Sequence, residues 1–182
     1  MWKFITTTVL MSTVLGCATA PKTAAERDSL ERRAEATLAE MQSRNPELRD
    51  VVKSSASYAV FPEVGKGGVL VGGAFGRGVL YVNGVSAGIV KLEQASIGAQ
   101  LGGQTFAELL VLRDQQDVDR LRAGTYELGA NASATVLQAG AAASATASRG
   151  TSAYILPRGG LMVDLSVAGQ RIEYSGNDSP RS

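Results

Sequence analysis

The residues in this chain whose types could do chemistry are a few carboxylates, a run of glycines and a single cysteine. Glu63, Glu93, Glu108 and Asp164 are the candidate carboxylates for acid–base work, which needs two such groups on either side of a reacting bond. Nothing in their spacing pairs them. Glu108 stands in the most apolar stretch, Phe106 to Leu112, where a buried carboxyl could be functional; a hydrogen-bonded structural role is the commoner outcome. Gly84-Val85-Ser86-Ala87-Gly88 fits the G-x-S-x-G elbow of a serine nucleophile. That chemistry also needs a histidine, and the chain has none. The cluster Gly65 to Gly78 lacks the spacing of a phosphate-cradling loop: position 60 is Val and position 67 is Gly, so Lys66 closes no G-x-x-x-x-G-K-[ST]. Its glycines, Gly72, Gly73, Gly76 and Gly78 among them, are read as fold residues that permit bends and close backbone packing. The expectation is a chain that is not an enzyme and has no metal or cofactor.

Cys17 is the only cysteine, so no disulfide can form within the chain. It follows Met1 to Gly16, in which Lys3 supplies a positive start and Phe4 to Leu15 a short apolar run. That run is too short for a comfortable transmembrane helix and suits a signal segment. Val14-Leu15-Gly16-Cys17 resembles the lipobox of bacterial lipoproteins. The resemblance implies that the Cys17 thiol takes a diacylglyceryl group and that cleavage falls between Gly16 and Cys17. The acyl chains would then hold the protein at a membrane at about 0.8 kcal/mol per buried CH₂. Ala18 and Thr19 follow without an Asp, which points to the outer membrane, facing the periplasm.

Such an anchor needs a domain to carry. The chain has 182 residues, 45% hydrophobic but only 5% aromatic, so a core would be built from Val, Leu, Ile and Ala. Basic and acidic residues number 18 and 17; loss of residues 1–16 removes Lys3 and leaves 17 against 17. A neutral protein offers no global field for nucleic acid, so nucleic acid is excluded as a partner and any basic patch is local.

Residues 17–22 read as a lipidated tether. Thr23 to Arg44 is a helix with Leu30, Ala34, Leu38 and Met41 on one face, and its mixed charges suit a surface helix lying on the domain. Asn45-Pro46 starts a second helix reaching about Ala56. The β pattern begins at Ser57, with Tyr58 to Phe61 stopped by Pro62. Val79 to Val82 and Val85 to Leu92 flank Asn83-Gly84, a hairpin signal. From Gln94 to Thr105, Ala95 and Ile97 alternate with Gln94 and Ser96. Phe106 to Leu112 is a central strand, Asp114 to Arg122 a short helix closed by Gly124. Alternation from Leu128 to Val136 flips phase near Gln138 to Gly140 and resumes to Ser148. Tyr154 to Leu156, Leu161 to Val167 and Gln170 to Tyr174 are the last strands, and 177–182 a polar tail. The fold class is α+β: amino-terminal helices (23–56), then a glycine-rich antiparallel β domain (57–176) with one inserted short helix.

The ordered motifs VFPEVGKGG (from Val60), VGGAFGRGVL (from Val71), ASIGAQLGGQ (from Ala95), YELGANASA (from Tyr126) and GGLMVDLSVAGQ (from Gly159) resemble the SYLF, or Ysc-type actin-binding, domain family over Leu48 to Tyr174. The resemblance implies a lipid-binding domain; eukaryotic members bind phosphoinositides and some bind actin filaments, whereas a bacterial envelope offers little of either. In eukaryotic members a basic amphipathic amino-terminal helix takes part, and here that helix balances Glu against Arg. The function expected is a lipid-anchored cell-envelope protein whose SYLF-like domain contacts membrane phospholipid. Lys53, Lys66 and Arg77, basic residues near the glycine-rich hairpins, are the candidate headgroup contacts. The alternative is a structural or assembly lipoprotein that binds a protein partner, or itself, through exposed strand edges.

Overall fold

The computed structural model describes residues 23–68, 71–97, 102–128, 133–137, 151–160 and 169–176. Cys17, the signal segment, the phase flip near residue 139, the alternation to Ser148, the strand at 161–167 and the tail lie outside the described residues.

Helix α1 spans Ala24–Arg44, with Thr23 Oγ1 accepting from the Glu26 N–H at 3.2 Å as its cap. Its buried stripe is Leu30, Ala34, Thr37 and Met41. Thr37 takes the place expected for Leu38, which is half-buried beside it. The stripe follows i, i+4, i+7, i+11, and Leu38 falls off its centre line. Asn45 Oδ1 accepts from the Glu47 N–H at 3.1 Å, starting a tight turn that leads into α2, Leu48–Lys53. Helix α2 ends three residues short of the expected Ala56.

The strands are β1 Ser57–Gly68, β2 Val71–Val82, β3 Val85–Ile97, β4 Gly102–Leu112, β5 Thr125–Glu127, β6 Ser133–Val136, β7 Ser152–Gly160 and β8 Gln170–Gly176, with helix α3, Gln115–Arg122, after β4. Among the described residues they form one eight-stranded sheet in the order β5-β8-β3-β2-β1-β4-β7-β6. All described pairings are antiparallel except β6 with β7. Pro62 does not stop β1. The registers with β2 and β4 both shift between residues 60 and 64, so a bulge takes up the residue that has no N–H to give. Asn83 (φ 52°) and Gly84 (φ 77°) both take the left-handed conformation that the β2–β3 hairpin turn requires.

Each face of the sheet has its own core. The outer face packs Tyr58, Val60, Val79, Tyr81, Leu109 and Val111 against Leu30, Ala34 and Met41 of α1 and Leu48 of α2. The inner face packs Phe61, Val64, Leu80, Leu92, Phe106 and Leu110 with Val118 and Leu121 of α3. Burial on both faces explains why Phe106 to Leu112 lacks alternation. The sheet is strongly curled. Strands β4 and β8 are separated by β1, β2 and β3, roughly 19 Å apart in a flat sheet. Yet Gln170 Nε2 on β8 donates to Glu108 Oε2 on β4 at 3.1 Å across the inner side.

Candidate functional site

Helix α1 crosses the outer face at mid-height. Near its start Glu31 reaches Ser86 on β3; near its end Glu40 pairs with Arg158 on β7 at 2.6 Å. Past the helix no described element covers the outer face. Register puts Gly103, Gly67, Gly73 and Ala95 in one row across β4, β1, β2 and β3, and all four are exposed. Beside it Thr105, Gly65 and Phe75 form a second row, with Gly159 next to Thr105. A Cβ on Gly65 would meet nothing within 4 Å, so glycine here leaves a flat backbone floor and relieves no clash.

Three adjoining depressions occupy this region. One of about 240 Å³ lies between Leu30, Arg33, Glu63, Gly65, Phe75 and Arg77. A second of about 490 Å³ lies between Arg33, Thr37, Glu40, Glu63, Thr105 and Arg158. The third, about 570 Å³, is a shallow shelf over Gly65, Gly103 and Gly159. Three guanidinium groups therefore border a glycine floor, with two carboxylates among them. The Glu40 carboxyl is raised by partial burial, but its bonds to Arg158 and to Arg44 (3.0 Å) outweigh this and hold it below the usual carboxylate range. Glu63 stands opposite Arg77 in the β1–β2 register.

The three sequence candidates are not brought together. Arg77 faces this site. Lys66 is among the residues lining the shelf, beside Gly65 and Gly103, but its side chain alternates to the inner side with Val64 and only 5% of it is exposed. It belongs to a polar row on that face, Gln104–Lys66–Ala74–Gln94–Gln170, running across five strands. Lys53 is exposed in the last turn of α2 and lines none of the three depressions. The expected alternation at Gln94 and Ala95 holds with polar side inward: Gln94 is buried and Ala95 exposed. Sequence reasoning missed Arg33 and Arg158. Arg33 was within reach, because it flanks the stripe through Leu30 and Ala34. Arg158 carries no local signal; its place follows from the β4–β7 pairing.

Among the described residues no group of His, Cys, Asp and Glu is arranged to hold a metal, and no helix is long and apolar enough to cross a membrane.

The arrangement defines an α+β domain: a curled, glycine-rich sheet braced across one face by an amino-terminal helix. Residues 93–179, from within β3 to just past β8, match the Ysc84 family, described as Las17-binding protein actin regulator. Over this segment the chain is similar to that family, the SYLF family its motifs resemble, which is associated with lipid binding. No curated protein matches the chain.

Proposed function

We propose that this is a non-enzymatic, lipid-anchored protein of a bacterial envelope, whose domain contacts phospholipid headgroups through the glycine-floored face beside α1. The observation that supports it best is the convergence of Arg33, Arg77 and Arg158 on bare, exposed sheet backbone. An arginine fork suits a phosphate oxygen pair, and exposed backbone lets a flat surface approach closely. Anchoring through Cys17, in the outer membrane facing the periplasm, would keep the domain at the surface it reads.

A basic residue near an anionic surface contributes about 1 kcal/mol, so these arginines would supply weak attraction that a tether makes sufficient by raising local concentration. The test is sedimentation of the full chain, in a Cys17→Ser background, with phosphatidylglycerol vesicles. Binding is expected to be weak, to fade with salt, and to be lost on replacing Arg33 and Arg77 together by Ser, while Lys53→Ser leaves it unchanged. Binding that ignores salt and the double replacement would refute this face as the contact.

A further inference from the structure

Inside the curl of the sheet, Glu108 and Gln170 are each buried, at 0% and 1% exposure. They share one hydrogen bond, from Gln170 Nε2 to Glu108 Oε2. Each also carries an oxygen, Glu108 Oε1 and Gln170 Oε1, that is buried and receives no hydrogen bond. Two orphaned acceptors on two residues already joined is a costly arrangement in an apolar interior. One proton removes both faults. A carboxylic acid and a primary amide pair through two bonds: the amide N–H to one carboxyl oxygen, and the acid O–H back to the amide oxygen.

We propose that Glu108 and Gln170 form a proton-dependent latch, closed as an acid–amide pair when Glu108 is neutral and released when it ionises. What the latch holds is fixed by topology. Glu108 sits on β4, and Gln170 opens β8, which has β3 on one side and only the three-residue β5 on the other. The pair is a side-chain tie across the inside of the curl from β4 to this flank. Its release would loosen β8, and with it β5 and α3, whose Val118 and Leu121 close the inner core.

The surroundings favour the neutral form. Inner-side residues near the pair include Val64, Leu92, Phe106 and Ile172. Among the described residues, the ionisable groups facing this interior are Lys66 from β1, Asp117 from α3, Tyr126 from β5 and Tyr174 from β8. Each has its own engagement: Tyr126 with Thr151, Asp117 with Thr151 and Arg120, and Tyr174 with the Ala87 carbonyl. Lys66 stands in the polar row, in register with Gln104 and Ala74. Burial, partly offset by the Gln170 bond, raises the Glu108 pKa to about 7.

The experiment is amide hydrogen exchange of the full chain at several pH values from 5 to 8, corrected for intrinsic rates, with the Glu108 carboxyl followed by ¹³C NMR. The carboxyl is expected to be neutral at pH 5. The opening equilibrium of residues 171–175 should rise with pH from 5 to about 7, by up to about tenfold per pH unit, and level off once the closed-state carboxyl ionises, while β1 and β2 stay protected. Glu108→Gln keeps a two-bond amide pair without a titrating proton, so β8 should stay closed throughout. Gln170→Leu should open β8 even at pH 5. The latch is overturned by a carboxyl already ionised at pH 5, by β8 exchange that stays constant from pH 5 to 7, or by Glu108→Gln retaining the pH response. Should either variant fail to fold, the wild-type carboxyl titration and the β8 exchange profile decide the matter together.

Discussion

Ser86 Oγ donates to Glu31 Oε1 at 2.7 Å, tying the first half of α1 to the start of β3 across 55 residues of sequence. With the Glu40–Arg158 pair at the other end and a narrow apolar stripe between, this bond helps set where α1 lies on the sheet. Ser86→Ala should cost about 1.5–3 kcal/mol, the range for a hydrogen bond to a charged acceptor, reduced by partial exposure of Glu31. Urea denaturation of Ser86→Ala, Glu31→Ala and the double variant checks it. Additive losses would show that the two groups do not interact in solution.

The glycines divide into two kinds, with opposite consequences. A Cβ on Gly78 would lie 2.5 Å from the Val60 carbonyl oxygen and 2.7 Å from Phe61 Cδ1; one on Gly76 would lie 2.8 Å from Val64 Cγ2. Gly78→Ala must push the β1 backbone and should destabilise by roughly 1–3 kcal/mol, the scale of overpacking. Gly65→Ala meets nothing within 4 Å and should leave the melting temperature within about 2 °C, as for an ordinary surface change. Gly65→Ala should nonetheless weaken vesicle binding, since it raises a methyl from the floor. Calorimetry and sedimentation on the two variants separate the kinds. Equal destabilisation by both would contradict the packing described.

What could be read from the sequence was what local physics dictates. The α1 helix from about Thr23 to Arg44, its Leu30–Ala34–Met41 stripe and the Asn83-Gly84 turn are short-range signals, and each appears in the fold. Pro62 misled because a missing N–H ends a regular ladder but not one with a bulge. Lys66 misled because polarity ordinarily marks the solvent face, and here a polar row that includes Gln94 turns inward. The site was half legible for a related reason. Arg77 belongs to a visible hairpin, whereas its neighbours Arg33 and Arg158 come from α1 and β7, brought together only by a helix crossing five strands. No pattern in one segment encodes that meeting.

The anchor can be tested independently of the domain. If Cys17 carries the lipid, Cys17→Ser should leave an uncleaved or soluble chain, and the wild type should be extracted with detergent and retain a blocked cysteine at its start. Metabolic labelling with a palmitate analogue checks it directly. A Cys17→Ser protein that is still labelled, processed and membrane-bound would remove the lipobox reading and leave the domain to find its membrane unaided.

The last prediction concerns two carboxyls that push stability in opposite directions with pH. Glu108 has a folded pKa raised from 4.5 to about 7, so its contribution is fully present below pH 4.5 and is lost as pH rises to about 7. The loss is at most about 3.5 kcal/mol, because each pH unit between the unfolded and folded values is worth about 1.4 kcal/mol. Glu40 has a lowered folded pKa, because Arg158 and Arg44 outweigh its partial burial. Its contribution is present above the ordinary carboxyl pKa and disappears as acid protonates it in the fold. Denaturant midpoints measured from pH 3 to 8.5 should therefore fall on both sides of a maximum in the mildly acidic range. Glu108→Gln should flatten the fall toward neutral pH without touching the acid side. Glu40→Gln should weaken the protein above about pH 5, lessen the fall in acid and leave the neutral side unchanged. If Glu40→Gln instead removed the fall toward neutral pH, the assignment of that limb to the buried Glu108 would be wrong.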